Sequence, residues 1–315
     1  MDNSFAKDVK SGLLSSPKSL PSRYFYNEHG DDLFRAIMRM EEYYPTKSEF
    51  EILLMNKATL LSIFYKNNDA FQLIEFGAGD GFKTKILLRY FLAKKANFIY
   101  IPIDISANVL DILIQTLNRT FPELKVTGIR NDYFTALKKL NLKEKTRKVI
   151  LFLGSNIGNF NEEEALDFLK QVGGHLSKGD LLLIGFDLKK DPGFILDAYN
   201  DRSGITRAFN LNLLKRINDE LGGNFDISKF EHYPVYDPLN GEARSYLVSR
   251  EKQTVNIAAP GISINFEAWE PIHMEISKKY DLPDILQLAD KAGFKVCHNM
   301  YDCKHYYLDS VWELK

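Results

Sequence analysis

Between residues 71 and 188 short apolar runs alternate with stretches whose apolar positions recur at helical spacing. The runs are FQLIEF (71–76), FIYIPID (98–104), KVTGI (125–129), KVILFLG (148–154) and DLLLIGFDL (180–188). Continuous rather than alternating apolar character predicts strands buried on both faces, the mark of a parallel sheet. Between them lie helical patterns such as Ala107 to Thr120 and Glu162 to Leu176, the latter stopping at Lys178-Gly179. Residues 30–66 also read as helices, with EEYYPTKSEF marking a break at Pro45. After Asp187 the alternation stops. Residues 189–245 read as mostly helical, and YLVS, QTVNIAA and ISINF then alternate at strand period, which predicts an antiparallel meander. LPDILQLADKAG returns to helix, and FKVCHNMYD with HYYLDSVWEL predicts two closing strands.

Bulk composition narrows the field without naming a function. The chain has 315 residues, enough for one large or two coupled domains, and is 45% hydrophobic and 26% charged. A formal net charge of −1 gives no general field to attract nucleic acid or an anionic membrane. The densest basic run, Lys138 to Lys148, also contains Glu144. No stretch approaches the ~20 apolar residues that span a bilayer, and the polar N-terminus lacks a signal-peptide core. Cys297 and Cys303 are too few for a disulfide framework or a zinc site, so reduced thiols, no metal and a cytoplasmic location are expected.

Chemistry concentrates first at FGAGDG. The apolar run 71–76 is followed by Gly77, Gly79 and Gly81, and a helical pattern, FKTKILLRYFL, begins at once. Glycines allow positive φ and let a ligand approach the backbone closely. About twenty residues on, the second run ends in Asp104, where an α/β nucleotide site grips ribose hydroxyls. An adenosine-containing small molecule is therefore expected. GxGxxG would favour a dinucleotide; the GxGxG spacing here is more usual around S-adenosylmethionine, and a turn serving packing alone is the third reading.

Further candidates follow the later strands. In NDYF (131–134), Asp132 is placed to accept from an adenine amino group with Tyr133 stacking on the ring, although an Asx-turn explains the same tetrapeptide. GSNIGNF (154–160) offers amide donors and acceptors to a polar substrate, and Asn161 reads as a helix N-cap. Lys83 and Lys85 open a helix, where cations are disfavoured, so a ligand carboxylate or solvent has to hold them. Tyr24, Phe25 and Tyr44 read as core, whereas Tyr26, Phe34 and Tyr43 could surround an ammonium, each aromatic face contributing ~0.5–2 kcal/mol. In HMEIS, Glu275 and Ser277 share a strand face, either as an ordinary exposed edge or as an acceptor and a hydroxyl aimed at a substrate.

Taken together, YFY-(x)₄-DLF, EYYPT, FGAGDGFKT, IPIDIS, LGSNIGN, DLKKD and HMEISKKY resemble the S-adenosylmethionine-dependent histidine Nα-methyltransferases of ergothioneine biosynthesis, over nearly the whole chain. The resemblance implies a class I methyltransferase fold: an α/β, Rossmann-like, doubly wound, mostly parallel sheet with a discontinuous α+β lid over the cofactor. Residues 59–188 and 279–315 would form the cofactor-binding core, and 1–58 and 189–278 the substrate-binding lid. It further implies that Gly77, Lys83, Asp104, Asp132 and Tyr133 contact S-adenosylmethionine. Tyr43, Asn159 and Tyr199 would hold the amino-acid end of histidine, and Tyr26, Phe34 and Gly154 would lie around the accepting nitrogen. Glu275 and Ser277 would receive the imidazole, and Tyr26 and Tyr43 would carry protons away through water.

Two departures stand out. The glycine motif differs from the LGSGTSEKT-like form of mycobacterial-type members, and Ser245 falls where a family methionine lies beside the imidazole pocket. The substrate would be a small amino acid taken by a monomer. Rival readings are transfer to another aromatic amino acid or amine, a non-catalytic sensor of the same cofactor, and an NAD-dependent oxidoreductase.

Overall fold

The computed structural model describes residues 3–139 and 146–315. Lys143, Glu144 and Lys145 of the basic run therefore lie outside the described residues. The chain divides into two compact units, one of residues 1–44 and 190–277 and one of residues 45–189 and 278–315.

The second unit is built on a seven-stranded sheet: β1 Phe71–Phe76, β2 Phe98–Asp104, β3 Ile129–Arg130, β4 Arg147–Phe152, β5 Leu181–Asp187, β6 Phe294–Tyr301 and β7 Tyr307–Leu314. Their spatial order is β6-β7-β5-β4-β1-β2-β3. The first five strands run parallel, and β7 is antiparallel to both β5 and β6. This is the doubly wound, class I methyltransferase topology, and it follows from the sequence pattern. Strands such as LLLIGFD are buried at every position and need cover on both faces. Ile74, Phe76, Ile150, Phe152 and Ile184 pack into one apolar layer; Leu73, Tyr100, Val149, Leu151 and Leu183 pack into the other. The strand order reverses between β1 and β4, so a crevice opens beyond their carboxyl ends, the place where open α/β sheets bind ligands.

The long helix Tyr44–Phe64 starts where the sequence breaks: Pro45 occupies its first turn, where its missing N–H costs nothing. Where the sequence suggests a division at 58/59, this helix runs straight across that point. Its Ile52, Leu53, Leu60 and Phe64 belong to an apolar layer of the large sheet, so the structural division falls at 44/45.

The first unit joins four strands in the order Lys18–Ser19, Pro271–Lys278, Glu242–Ser249, Phe230–Asp237, with a separate hairpin of Gln253–Ile257 and Ile262–Phe266. Phe25, Phe209, Leu213, Leu214, Phe230, Leu247, Ile272 and Met274 are buried together in its core. Two expectations are corrected here. The stretch 189–245 is helical at Pro192–Asp197 and Ile205–Leu221, but 230–237 and 242–249 form a hairpin. Pro234 argues against a strand in sequence, yet it sits on an edge strand, where the absent N–H is tolerated. The expected single meander is split, because 242–249 pairs with 230–237 while 253–257 pairs with 262–266.

Candidate active site

The glycine turn is a shaped cradle at the carboxyl end of β1. Gly77, Gly79 and Gly81 all have positive φ, 64°, 54° and 64°. A Cβ on Gly79 would meet nothing within 4 Å, whereas one on Gly81 would come within 2.7 Å of Leu113. The middle glycine thus borders open space and the last is needed for packing. Asp104, at the end of β2, ties the turn: Oδ2 accepts the Gly79 N–H at 3.1 Å and Oδ1 that of Ser106 at 2.9 Å. Burial raises the Asp104 carboxyl above its usual range, and these N–H donors oppose that rise.

Asp132 and Tyr133 follow β3. Asp132 Oδ1 accepts the Thr135 N–H at 2.9 Å, so the helix-capping role is realised, and bonding to Thr135 holds its carboxyl below the usual value. One face of Tyr133 stacks on Phe76 at 4.8 Å and 17°, which commits that face to the core. A Cβ on Gly77 would lie 3.1 Å from the Tyr133 hydroxyl, so Tyr133 borders the cradle. Burial and the charge of Asp104 push its phenol upward.

The loop after β4 is strained in a directed way. Gly154 has φ 80° and Ser155, a residue with a Cβ, has φ 55°. Asn156 donates to the Leu153 carbonyl at 2.8 Å, and the short 3-10 helix Asn156–Asn159 carries Asn159 half-buried. Asn161 caps the next helix in a full capping box with Glu164.

Glu49 is a buried neighbour of Lys83 and Gly154 that the sequence reading missed. Its carboxylate, fully buried, accepts from Lys83 Nζ, from the Gly154 N–H at 2.8 and 3.0 Å, and from the Tyr307 hydroxyl at 2.9 Å. Lys83 is therefore held by a protein carboxylate, where a ligand or solvent was expected. Nothing local in EYYPTKSEF singles Glu49 out; an ionisable residue on the apolar face of a helix was the available signal.

The remaining residues lie in the other unit. Tyr26 and Phe34 are T-shaped at 5.6 Å, and each approaches Phe209, at 5.7 and 5.9 Å. Phe209 is a third ring that sequence spacing did not reveal. Tyr24, Phe25 and Tyr44 are buried, as core residues should be. Tyr43 packs against the same apolar cluster, and Tyr199 is half-buried just after Pro192–Asp197. On the strand Pro271–Lys278, Ile272, Met274 and Ser277 are buried and Glu275 is half-buried, so strict alternation breaks between 274 and 277. Ser245 is buried on Glu242–Ser249, level with Pro234 of the edge strand.

The model of a family described as histidine-specific, S-adenosylmethionine-dependent methyltransferases matches residues 5–314. The chain belongs to that family. It is 34% identical over 292 residues to the histidine N-alpha-methyltransferase of Mycolicibacterium smegmatis, covering 93% of this chain and 89% of that one. It is 33% identical to that of Mycobacterium tuberculosis, covering 87% and 84%. The ergothioneine biosynthesis protein 1 of Schizosaccharomyces pombe is 31% identical over 90% of this chain and 38% of its own length. A histidine-specific methyltransferase of this family uses S-adenosylmethionine, and the residues present fit it: an open glycine cradle, a strand-end carboxylate and a bordering tyrosine. Among the described residues no helix is long and apolar enough to cross a membrane, and no group of His, Cys, Asp and Glu is arranged to hold a metal.

Proposed function

We propose that this chain methylates the α-amino nitrogen of L-histidine, up to three times, to give trimethylhistidine (hercynine), the histidine-methylating reaction of ergothioneine biosynthesis. The observation that carries this reading is family membership over residues 5–314 together with a formed cofactor cradle, in which Asp104 fixes Gly79. Within it, Gly77, Lys83, Asp104, Asp132 and Tyr133 hold the cofactor. Asp104 takes ribose hydroxyls, and Asp132, already anchored as a cap, faces the adenine end.

Bound S-adenosylmethionine supplies a methyl group activated on a sulfonium, which the neutral amine of histidine takes by in-line displacement. The protein's share is positioning, which is worth much of the acceleration in such a transfer. The side-chain amide of Asn159, half-buried on the 3-10 helix after β4, takes the substrate's carboxylate and amine, with Tyr43 and Tyr199. Tyr26 and Phe34 present ring faces to the accepting nitrogen, which becomes a fixed cation in the product. Gly154 leaves room beside that nitrogen. Glu275 and Ser277 satisfy the two imidazole nitrogens. Each of the first two methylations leaves a protonated amine, and Tyr26 and Tyr43 pass that proton to water. The enzyme acts as a cytoplasmic monomer on a free amino acid, without nucleic acid; a net charge of −1 supports the last point.

Mass spectrometry of the purified chain with S-adenosylmethionine and a mixture of common amino acids and aromatic amines tests this. Mass increments of one, two and three methyls on histidine alone are expected. Methylation of a different amine would keep the cofactor assignment and overturn the substrate.

A further inference from the structure

We propose that Glu49 is a positioning residue for the methyl transfer, holding Lys83 in place for the cofactor and fixing the Gly154 loop at the same time; this rests on the reading of Lys83 as a cofactor contact.

The sheet is built around this carboxylate. Gly185 lies in the middle of β5, where a side chain would ordinarily fill the core. A Cβ there would run into Glu49 Oε1 and come within 2.6 Å of the Tyr307 hydroxyl. The strand thus omits a side chain where Glu49 and Tyr307 meet, which is one reason for a glycine inside a strand. Both Glu49 oxygens are engaged, Oε1 by Tyr307 and Gly154 and Oε2 by Lys83 and Gly154. A buried carboxylate with this many donors keeps its orientation.

The consequence falls on Lys83. A lysine is a point charge on a flexible four-carbon stem, and ordering that stem on ligand binding costs entropy. Glu49 orders it beforehand. Pairing uses one of the ammonium's three donors and leaves two for an incoming carboxylate. A Cβ on Gly154 would lie 3.6 Å from Lys83 Nζ, so the ammonium sits against the loop whose N–H the same carboxylate holds. Asp309 is a further buried acid near Glu49, and neither of its oxygens has a hydrogen-bond partner among the described residues. Burial and the neighbouring Glu49 push the Asp309 carboxyl well above its usual range, with Lys83 opposing.

The test is a double-mutant cycle read by calorimetric titration of S-adenosylhomocysteine into the full chain, with Glu49→Gln, Lys83→Met and the pair. Losing a hydrogen bond to a charged group predicts about tenfold weaker binding for each single variant, and coupling predicts about tenfold, not a hundredfold, for the double. A purely structural role would lower the unfolding temperature and multiply with Lys83→Met. Glu49→Gln binding as well as or better than the parent, or multiplying losses, would overturn the proposal. Lys83→Met binding normally would instead remove Lys83 from the cofactor site, and the inference with it. Should Glu49→Gln fail to fold, Tyr307→Phe takes its place: it should weaken binding by about threefold in the parent and not at all in the Lys83→Met background. Equal loss in both backgrounds, or none in the parent, overturns it equally.

Discussion

Asp104 accepts the backbone N–H of Gly79 at 3.1 Å across 25 residues of sequence, joining the end of the second strand to the turn after the first. One carboxylate therefore shapes the cradle and stands where the proposed cofactor site needs a ribose acceptor. Asp104→Asn keeps the size and removes the charge. Charge-assisted hydrogen bonds contribute about 1.5–3 kcal/mol, so cofactor affinity should fall by at least about tenfold with a smaller loss of stability. Parallel titration with S-adenosylhomocysteine and thermal unfolding separate the two effects, and unchanged affinity would exclude Asp104 from the site.

The glycines of the turn should divide by role. Gly79→Ala meets no atom within 4 Å and has only the cost of φ 54°, about 1–2 kcal/mol. Gly81→Ala meets the same conformational cost and also crowds Leu113 at 2.7 Å. Gly81→Ala is expected to lower the unfolding temperature more, and Gly79→Ala to weaken cofactor binding more. The reverse order in both measurements would show that the open space beside Gly79 is not where the cofactor lies.

Substrate selectivity should separate in steady-state kinetics. Glu275→Ala is expected to raise KM for histidine by about tenfold or more and to relax discrimination against amino acids lacking an imidazole, because a partner for its nitrogens is lost. Asn159→Ala should impair every accepted amino acid alike, since it would read the backbone end that all of them share. A histidine-specific defect in Asn159→Ala would contradict that assignment.

Stability should respond to pH through two buried groups of opposite sign, one in each unit. Glu75 accepts from Thr84 at 2.6 Å and from Tyr100, and burial, opposed by these bonds and by Lys83, raises its pKa to about 7. The folded state then binds the proton more tightly than the unfolded one, so stability falls as pH rises from 4.5 to about 7 and stays lowered above that. The displacement corresponds to about 3 kcal/mol. His232 is the converse. Burial depresses it to about 4, with Asp201 opposing and Arg207 adding, so its contribution is present above 6.5 and lost as pH falls towards 4. Denaturant titrations at pH 5 and pH 8 check this: Glu75→Gln should flatten the decline at neutral pH, and His232→Asn the loss in acid.

Sequence periodicity reached far in the sheet unit and less far in the other. FIYIPID and the helix Ala107–Thr120 coincide with the observed elements residue for residue, because a strand buried on both faces leaves an unbroken apolar run. In the hairpin 230–237/242–249 only YLVS reads as strand from the sequence; the edge strand carries Pro234 and charged residues that an edge tolerates and that mask its strand pattern. From the sequence Lys83 reads as held by a ligand carboxylate or by solvent; its partner Glu49 is 34 residues away, and sequence spacing carries no record of that meeting.

What the chain's sequence determined by itself was the order of strands and helices in the sheet unit, the glycine turn, the strand-end carboxylate and the kinship. All of these depend on neighbours in sequence, or on runs of one kind of residue, for which local backbone preferences and burial periodicity suffice. The tertiary structure decided which buried groups meet: Glu49 with Lys83, Gly154 and Tyr307; Tyr133 with Phe76; Phe209 with Tyr26 and Phe34. Such contacts arise when separate elements pack into one low-dielectric interior, where a charge must find a partner wherever the fold brings one.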